Sequence, residues 1–322
     1  MGTPVPIQKQ APLANATRGR MALDAVQVGK IVQPDRLVVY GQEGVGKSSL
    51  AAGADGAIFL PTEDGTAHLD VARFPAPESF ADVLDAVRVL TNDEHAYRTF
   101  VLDTVDGLEP IIFRDICSAS GKKSIEDVGG GFGKGYTAAL DSWRLLLAEL
   151  DRLRRARSMR IVLLAHSHIK TFKNPEGDSF DRYIGKLNEK AWGLLKEWAD
   201  HVFFARFQTY AVEGEKDKRV RGVSDGARVI CTTRTAAYDA KNRADLPAEL
   251  PLSWPDIEVA LAAHRPADPA QLEAECAELI PVAGDADGKL AGYLNTIRSD
   301  AAKLAHFANR LRAKAAEKGA QS

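Results

Sequence analysis

An α/β fold with a mainly parallel sheet is predicted by three observations. From Ile31 to Trp254 short apolar runs alternate with helical patterns, the signature of βαβ units. One run, Leu37-Val38-Val39-Tyr40, leads straight into Gly41-Gln42-Glu43-Gly44-Val45-Gly46-Lys47-Ser48, and Ser49-Leu50-Ala51-Ala52 then opens a helix. Three further runs end in acids or histidines, as strands do when their C-terminal ends share a ligand-binding edge.

The first element carries the strongest signal. Residues 41–48 fit G-x-x-x-x-G-K-[ST] without a mismatch, in the strand–loop–helix setting of a P-loop. Glycines let backbone N–H groups turn inward around phosphate oxygens, and the helix N-terminus adds partial positive charge. Gly41 to Ser49 are therefore the expected nucleotide-binding residues. Lys47 is expected as an exposed ligand of the β- and γ-phosphates, and the Ser48 hydroxyl as a ligand of Mg²⁺.

The second strand, Ala57–Leu60, runs into Pro61-Thr62-Glu63-Asp64. A carboxylate at that edge can orient or deprotonate an attacking water, and Glu63 is the expected base; a solvated loop acid or helix cap is the plainer alternative. The third, Thr99–Leu102, ends in Asp103, expected in the Mg²⁺ shell; Asp106 is a lesser candidate for that role, with the start of the next helix as its plainer alternative. The fourth, Ile161–Ala165, ends in His166-Ser167-His168. A period of two places both imidazoles on one face, where either can sense a γ-phosphate.

The remaining strands, Val202–Phe207 and Arg228–Thr233, are joined by a polar segment around Glu213–Arg221, which predicts antiparallel pairing at the sheet edge. Helical patterns lie near 48–54, 78–91, 107–117, 136–157 and 188–199. The run Arg152-Leu153-Arg154-Arg155-Ala156-Arg157 ends one of them, where cations complement the helix dipole. Beyond the prolines at 247, 251, 255, 266 and 269, residues 270–282 and 287–316 have helical composition. Leu290, Leu294, Ile297, Leu304, Phe307 and Leu311 form one apolar face, expected to pack on the core or a neighbouring chain. The expected organisation is a mobile arm over 1–25, the α/β domain over 26–258 and a helical extension over 259–322.

Composition narrows the function. At 322 residues, 45% hydrophobic and 27% charged, the chain is long and apolar enough for a full α/β core. A net charge of −2 excludes a global basic field, so any nucleic-acid contact must be local. Cys117, Cys231 and Cys276 have no metal-like spacing and read as free thiols in a reducing compartment. With no apolar run of membrane-spanning length and no signal-peptide core, the expectation is a cytoplasmic protein.

With those residues in view, the chain resembles the RecA-like ATPase superfamily, and more closely the phage nucleotide-binding proteins of the short, Sak-type recombination group. The resemblance covers about residues 25–255 and implies ATP with Mg²⁺, hydrolysis stimulated by single-stranded DNA, and assembly into a homo-oligomeric ring or filament in the host cytoplasm. A single-strand DNA-binding protein is a further implied partner. His168 would replace the glutamine at the end of the RecA sensor strand, with His166 beside it. Lys241-Asn242-Arg243 would place Lys241 and Arg243 as a clamp on a neighbouring subunit's ATP. Two DNA-binding loops are implied: Ser118–Tyr136 with Lys122, Lys123 and Lys134, and Ile169–Leu187 with Lys170, Phe172, Lys173, Arg182 and Lys186. Cations beside aromatics suit single strands, because charge follows phosphate and rings stack on bases.

Three other readings remain. A GTPase is disfavoured: Asn242-Arg243-Ala244-Asp245 has Arg where the guanine-reading motif has Lys, and no D-x-x-G begins at Asp103. A phosphotransferase is disfavoured because 118–136 contains no Arg for a lid. A nucleotide-gated assembly or packaging adaptor with weak hydrolysis stays open.

Overall fold

The computed structural model describes Val26 and residues 33–208, 210–213, 220–223, 226–263, 269–285, 288–298 and 301–319; the arm expected over 1–25 lies outside them. In chain order the elements begin β1 (Arg36–Gly41), α1 (Lys47–Ala52), β2 (Ala57–Pro61), β3 (Ala72–Arg73), α2 (Phe80–Asn92), β4 (Thr99–Asp103) and α3 (Val105–Ser120). They continue α4 (Lys134–Arg157), β5 (Arg160–Phe172), β6 (Phe180–Gly185), α5 (Glu189–Trp198), β7 (His201–Phe207), β8 (Tyr210–Glu213) and β9 (Val220–Val223). The described chain closes with β10 (Arg228–Cys231), β11 (Glu249–Pro251), α6 (Trp254–Ala262), α7 (Pro269–Ala283), α8 (Lys289–Ile297) and α9 (Ala301–Gly319).

The main sheet has the order β11-β10-β7-β1-β5-β4-β2-β3, with β6 paired to the far half of β5. Strands β1 to β5 and β7 run parallel, and β10 and β11 are antiparallel. This is the expected RecA-like core: β5 separates the P-loop strand from the strand ending in Asp103, and the antiparallel pair closes the edge. The polar connection expected between β7 and β10 contains an additional ladder, β8 with β9.

Central strands read as unbroken apolar runs because both faces are covered. Period-two alternation divides them between two layers. Val38, Tyr40, Phe100, Leu102, Ile161 and Leu163 pack against α2 to α5, around Trp143. Leu37, Val39, Val101, Val162 and Leu164 pack on the other side against Leu50 of α1 and Trp254 and Ile257 of α6. The helix α2 starts at a capping box formed by Ser79 and Asp82.

The chain divides into two compact units, one spanning Val32–Arg265 and the other holding the helices beyond Pro266. The pattern expected as one helix over 287–316 is two, α8 and α9. Its apolar face has its own core: Leu294, Ile297, Leu304, Phe307 and Leu311 bury against Leu272, Cys276 and Ile280 of α7. That corrects the expectation of packing on the α/β core or a neighbouring chain.

Both segments expected as DNA-binding loops are largely folded. Residues 118–136 hold the end of α3, a 3-10 turn over Ile125–Gly130 and the start of α4. Residues 169–187 are mostly the β5–β6 hairpin, whose register pairs Lys170 with Arg182 and Phe172 with Phe180. The arginine run at the end of α4 does more than complement a dipole. Arg154 ion-pairs with Asp200, and Arg157 donates to the carbonyls of Thr91 and Asn92 at the end of α2.

Candidate functional site

Sheet register assembles the site. Gly41, the last residue of β1, pairs with His166 on β5. Asp103 at the end of β4 pairs with Leu164, two residues before His166, and with Pro61 at the end of β2. The strand ends therefore open on one edge, and Gly46, Lys47, Ser48, Glu63, Asp103 and His166 line one pocket of ≈ 260 Å³.

Two glycines of the P-loop are required by geometry. A Cβ at Gly41 would lie 2.1 Å from the carbonyl oxygen of Ala205 on β7, and Gly46 has φ +102°, which β-carbon sterics disfavour. Val45 is buried in the core, Gln42 half-buried, and Glu43, Gly44 and Ser49 are exposed. The helix α1 is six residues long, so anion binding rests on loop N–H groups and Lys47 more than on a macrodipole. Arg228, at the start of β10, donates to the carbonyl of Val45 at 3.3 Å, a cation against the P-loop that lay too far away in sequence to be noticed.

Lys47 is buried, 5% exposed, which corrects the expectation of an exposed ligand. Its Nζ donates to the carbonyls of Gly41 and Gln42 at 3.1 and 3.0 Å. Burial pushes its pKa down, against the pull of Asp106, Asp103 and Glu63. Asp103 is also buried, and burial raises its pKa while the Ser48 hydroxyl and Lys47 work to lower it. A desolvated carboxylate hydrogen-bonded to the P-loop serine fits a Mg²⁺ site, and a desolvated ammonium held by backbone carbonyls fits a phosphate site.

Glu63 is partly exposed at 41%, and its Oε1 accepts from the Thr104 hydroxyl at 2.8 Å. Thr104 also N-caps α3 by accepting from Gly107 N–H at 3.0 Å, and its own N–H donates to the Thr62 hydroxyl at 2.8 Å. Thr104 thus fixes the Glu63 carboxylate, a role its sequence position signals only as a helix cap.

His166 is brought into the site, and Asp106 with it. Asp106 Oδ1 accepts from the His166 backbone N–H at 2.8 Å, and Oδ2 accepts from the ring Nδ1 at 2.8 Å. Asp106 is therefore more than the start of a helix. Its bond raises the His166 pKa, with burial and Lys47 opposing. In return the His166 bonds outweigh burial and hold the Asp106 carboxyl below its usual range. His168 does not line this pocket. It stands where β5 continues into the hairpin, and its pKa is lowered by burial, then by Lys170 and Lys186.

The residues expected on DNA divide. Lys122, Lys123 and Lys173 are exposed. Lys134 donates to the Gly129 carbonyl at 3.1 Å, Lys170 ion-pairs with Glu189, and Lys186 lies 4.0 Å from Glu43. Arg182 is corrected: it is 6% exposed and ion-pairs with Asp239 at 2.7 Å, so it holds the fold rather than facing a phosphate. Phe172 covers its guanidinium at 5.6 Å and remains partly exposed. Lys170, Phe172, Lys173, Trp192 and Lys196 line a groove of ≈ 450 Å³ between the hairpin and α5. Phe132 was missed. It is fully exposed, with φ +55°, between Gly131 and Gly133.

The two residues of the expected clamp have partners within their own chain. Lys241 donates to the carbonyls of Lys196, Glu197 and Ala199 at 2.9, 2.9 and 2.6 Å, which caps the end of α5 within its own chain. Arg243 ion-pairs with Asp200 at 3.1 Å. Asn242 is used in its own turn, with Leu246 and Ala244, as a guanine-reading residue would not be. No helix among the described residues is long and apolar enough to cross a membrane.

The sequence matches a family model described as an AAA domain over residues 33–244. It is 25% identical over 144 residues to the SPbeta prophage-derived uncharacterized protein YorG of Bacillus subtilis (strain 168), a match covering 44% of this chain and 43% of that protein. The chain thus spans less than half the length of that relative. A crystal structure of the RadB recombinase aligns with TM-score 0.36 and 13% identity over 62% of this chain and 80% of that one.

Proposed function

The chain belongs to this AAA domain family, and from that premise we propose that it is a Mg²⁺-dependent ATPase acting with single-stranded DNA in phage recombination or annealing, as a homo-oligomer. One observation carries the reading: Lys47, Ser48, Asp103, Glu63 and His166, drawn from four separate segments, surround a single pocket behind a P-loop. The prophage origin in the relative's name supports the phage setting.

Each residue has a task there. The P-loop N–H groups and Lys47 bind phosphate oxygens, and Lys47 gives up the Gly41 and Gln42 carbonyls to do so. Ser48 and Asp103 would hold Mg²⁺, which supplies charge neutralisation across the phosphates when bound. Glu63, oriented by Thr104, accepts a proton from the attacking water. His166 faces the end of the phosphate chain. The DNA contact is assigned to exposed Lys122, Lys123, Lys173 and Phe132, with the groove beside Phe172 as a second surface.

ATP turnover measured with and without single-stranded DNA, across a range of protein concentrations, tests the proposal. Turnover that rises with both supports a DNA-stimulated oligomer. Tight ATP binding with turnover at background, whatever DNA is added, would replace it with the nucleotide-gated adaptor.

A further inference from the structure

Asp106 holds His166 by two separate bonds. Its Oδ1 takes the backbone N–H and its Oδ2 the ring Nδ1, both at 2.8 Å. The carboxylate is 5% exposed, and it projects from the first turn of α3 onto the middle of β5, where the parallel pairing with β1 ends. One bond fixes where this part of the strand lies; the other fixes which way the ring is turned. Glu63 does not compete for the ring: its Oε1 is 3.9 Å from Nδ1 and already accepts from Thr104 at 2.8 Å.

We propose that Asp106 is a positioning residue for ATP hydrolysis, holding His166 with Nδ1 protonated towards α3 so that Nε2 is the nitrogen offered to the terminal phosphate in the pocket. The choice of nitrogen follows from donor chemistry. A buried carboxylate only accepts, so the proton on a neutral ring resides at Nδ1 and the lone pair at Nε2. Protonation turns Nε2 into a donor, the form that stabilises phosphate oxygens. Asp106 and, more distantly, Glu63 favour that charged form, while Lys47 from α1 disfavours it; Asp103 on β4 is the other carboxylate facing the ring. The phosphate role rests on the ATPase reading. The ring orientation does not.

The test is nitrogen-detected NMR of the imidazoles in the nucleotide-free full chain, with the His166 signal identified by its loss in His166→Gln. The expected result is a neutral ring protonated at Nδ1, titrating above the ordinary histidine midpoint of about 6.5. In Asp106→Asn, which keeps the shape and removes the charge, the midpoint should fall by roughly one unit or more. A neutral wild-type ring protonated at Nε2, or a midpoint unmoved by Asp106→Asn, overturns the assignment. If Asp106→Asn does not fold, the wild-type tautomer still decides.

Kinetics supplies the second reading. Asp106→Asn and His166→Gln should each lower kcat about tenfold or more, with ATP affinity changed far less. An equal loss of kcat and binding, or a kcat unchanged while the ring titrates as expected, overturns the phosphate contact. A wild-type chain that titrates as expected but never hydrolyses ATP sinks the ATPase reading and leaves the positioning of the ring in place.

Discussion

The Nζ of Lys47 donates to the backbone carbonyl of Gln42 at 3.0 Å, so the P-loop holds its own lysine inside the fold. The ammonium is desolvated and its protonated form disfavoured by burial. Removing it relieves a buried charge, and alanine is well suited to the first turn of α1. Lys47→Ala is therefore expected to fold, with a Tm close to that of the parent. ATP affinity should drop about ten- to a hundredfold, the range expected when a charged hydrogen-bonding group worth roughly 1.5–3 kcal/mol is lost. Calorimetric ATP titration alongside thermal melts checks both. Near-parental affinity in a folded variant would reject the P-loop assignment.

Glu63→Gln should bind ATP normally and hydrolyse it at least about tenfold more slowly, since a positioned base contributes roughly 10²–10⁴-fold. Thr104→Val removes the hydroxyl that orients Glu63 Oε1, and its effect on kcat should be smaller than that of Glu63→Gln. Single-turnover measurements separate chemistry from release. Unchanged turnover in Glu63→Gln would move the base elsewhere, with Asp64 the next acid along the chain.

The nucleotide pocket was legible in the sequence because its residues stand where apolar runs end. Each of Gly41, Glu63, Asp103 and His166 follows an apolar run, and parallel strands open their C-terminal ends on one edge. What could not be read is how side chains reach across between elements. Asp106 looks like any first-turn acid until β5 brings His166 beside it, 60 residues away in sequence. Arg182 and Lys241 have the composition of exposed basic loops, yet Asp239 and the end of α5 claim them. The second loop was misread because β5 continues beyond the apolar run, carried by pairing with β6 rather than by burial. In the C-terminal helices the apolar periodicity was plain, but its partner, α7, was visible only as another helix.

Lys241 is expected to act on stability, not on a neighbour's nucleotide. Three carbonyls at the end of α5 lose their shared donor in Lys241→Ala. Cations at helix C-termini and charge-assisted hydrogen bonds together suggest a cost of about 1–3 kcal/mol. The variant should melt earlier while hydrolysing ATP at the parental rate per folded chain. Mixing it with Lys47→Ala protein should then give no more activity than the sum of the two. Loss of hydrolysis with unchanged Tm, restored by mixing, would return Lys241 to the clamp between subunits.

Phe132 and Arg182 make opposite demands on a DNA-binding experiment. Phe132 is fully exposed with left-handed backbone between two glycines. No burial holds it there, so Phe132→Ala should leave the Tm unchanged or slightly higher. Single-stranded DNA affinity should fall by about 1–3 kcal/mol, the contribution of one stacked base. Lys122, Lys123 and Lys173 are exposed in the same way; replacing all three with alanine should reduce the slope of log affinity against log salt by about 2, at roughly 0.7 per phosphate contact. Arg182 is 6% exposed, and its removal leaves the Asp239 carboxylate short of a partner. Arg182→Ala should therefore destabilise the fold and leave the salt slope of the folded fraction unchanged. Fluorescence anisotropy over a salt series, with melts of each variant, separates the three outcomes. If Phe132→Ala and the triple lysine variant bind as the parent does while Arg182→Ala loses salt-dependent binding without losing stability, the contact lies on the hairpin and the Gly-rich segment is not part of it.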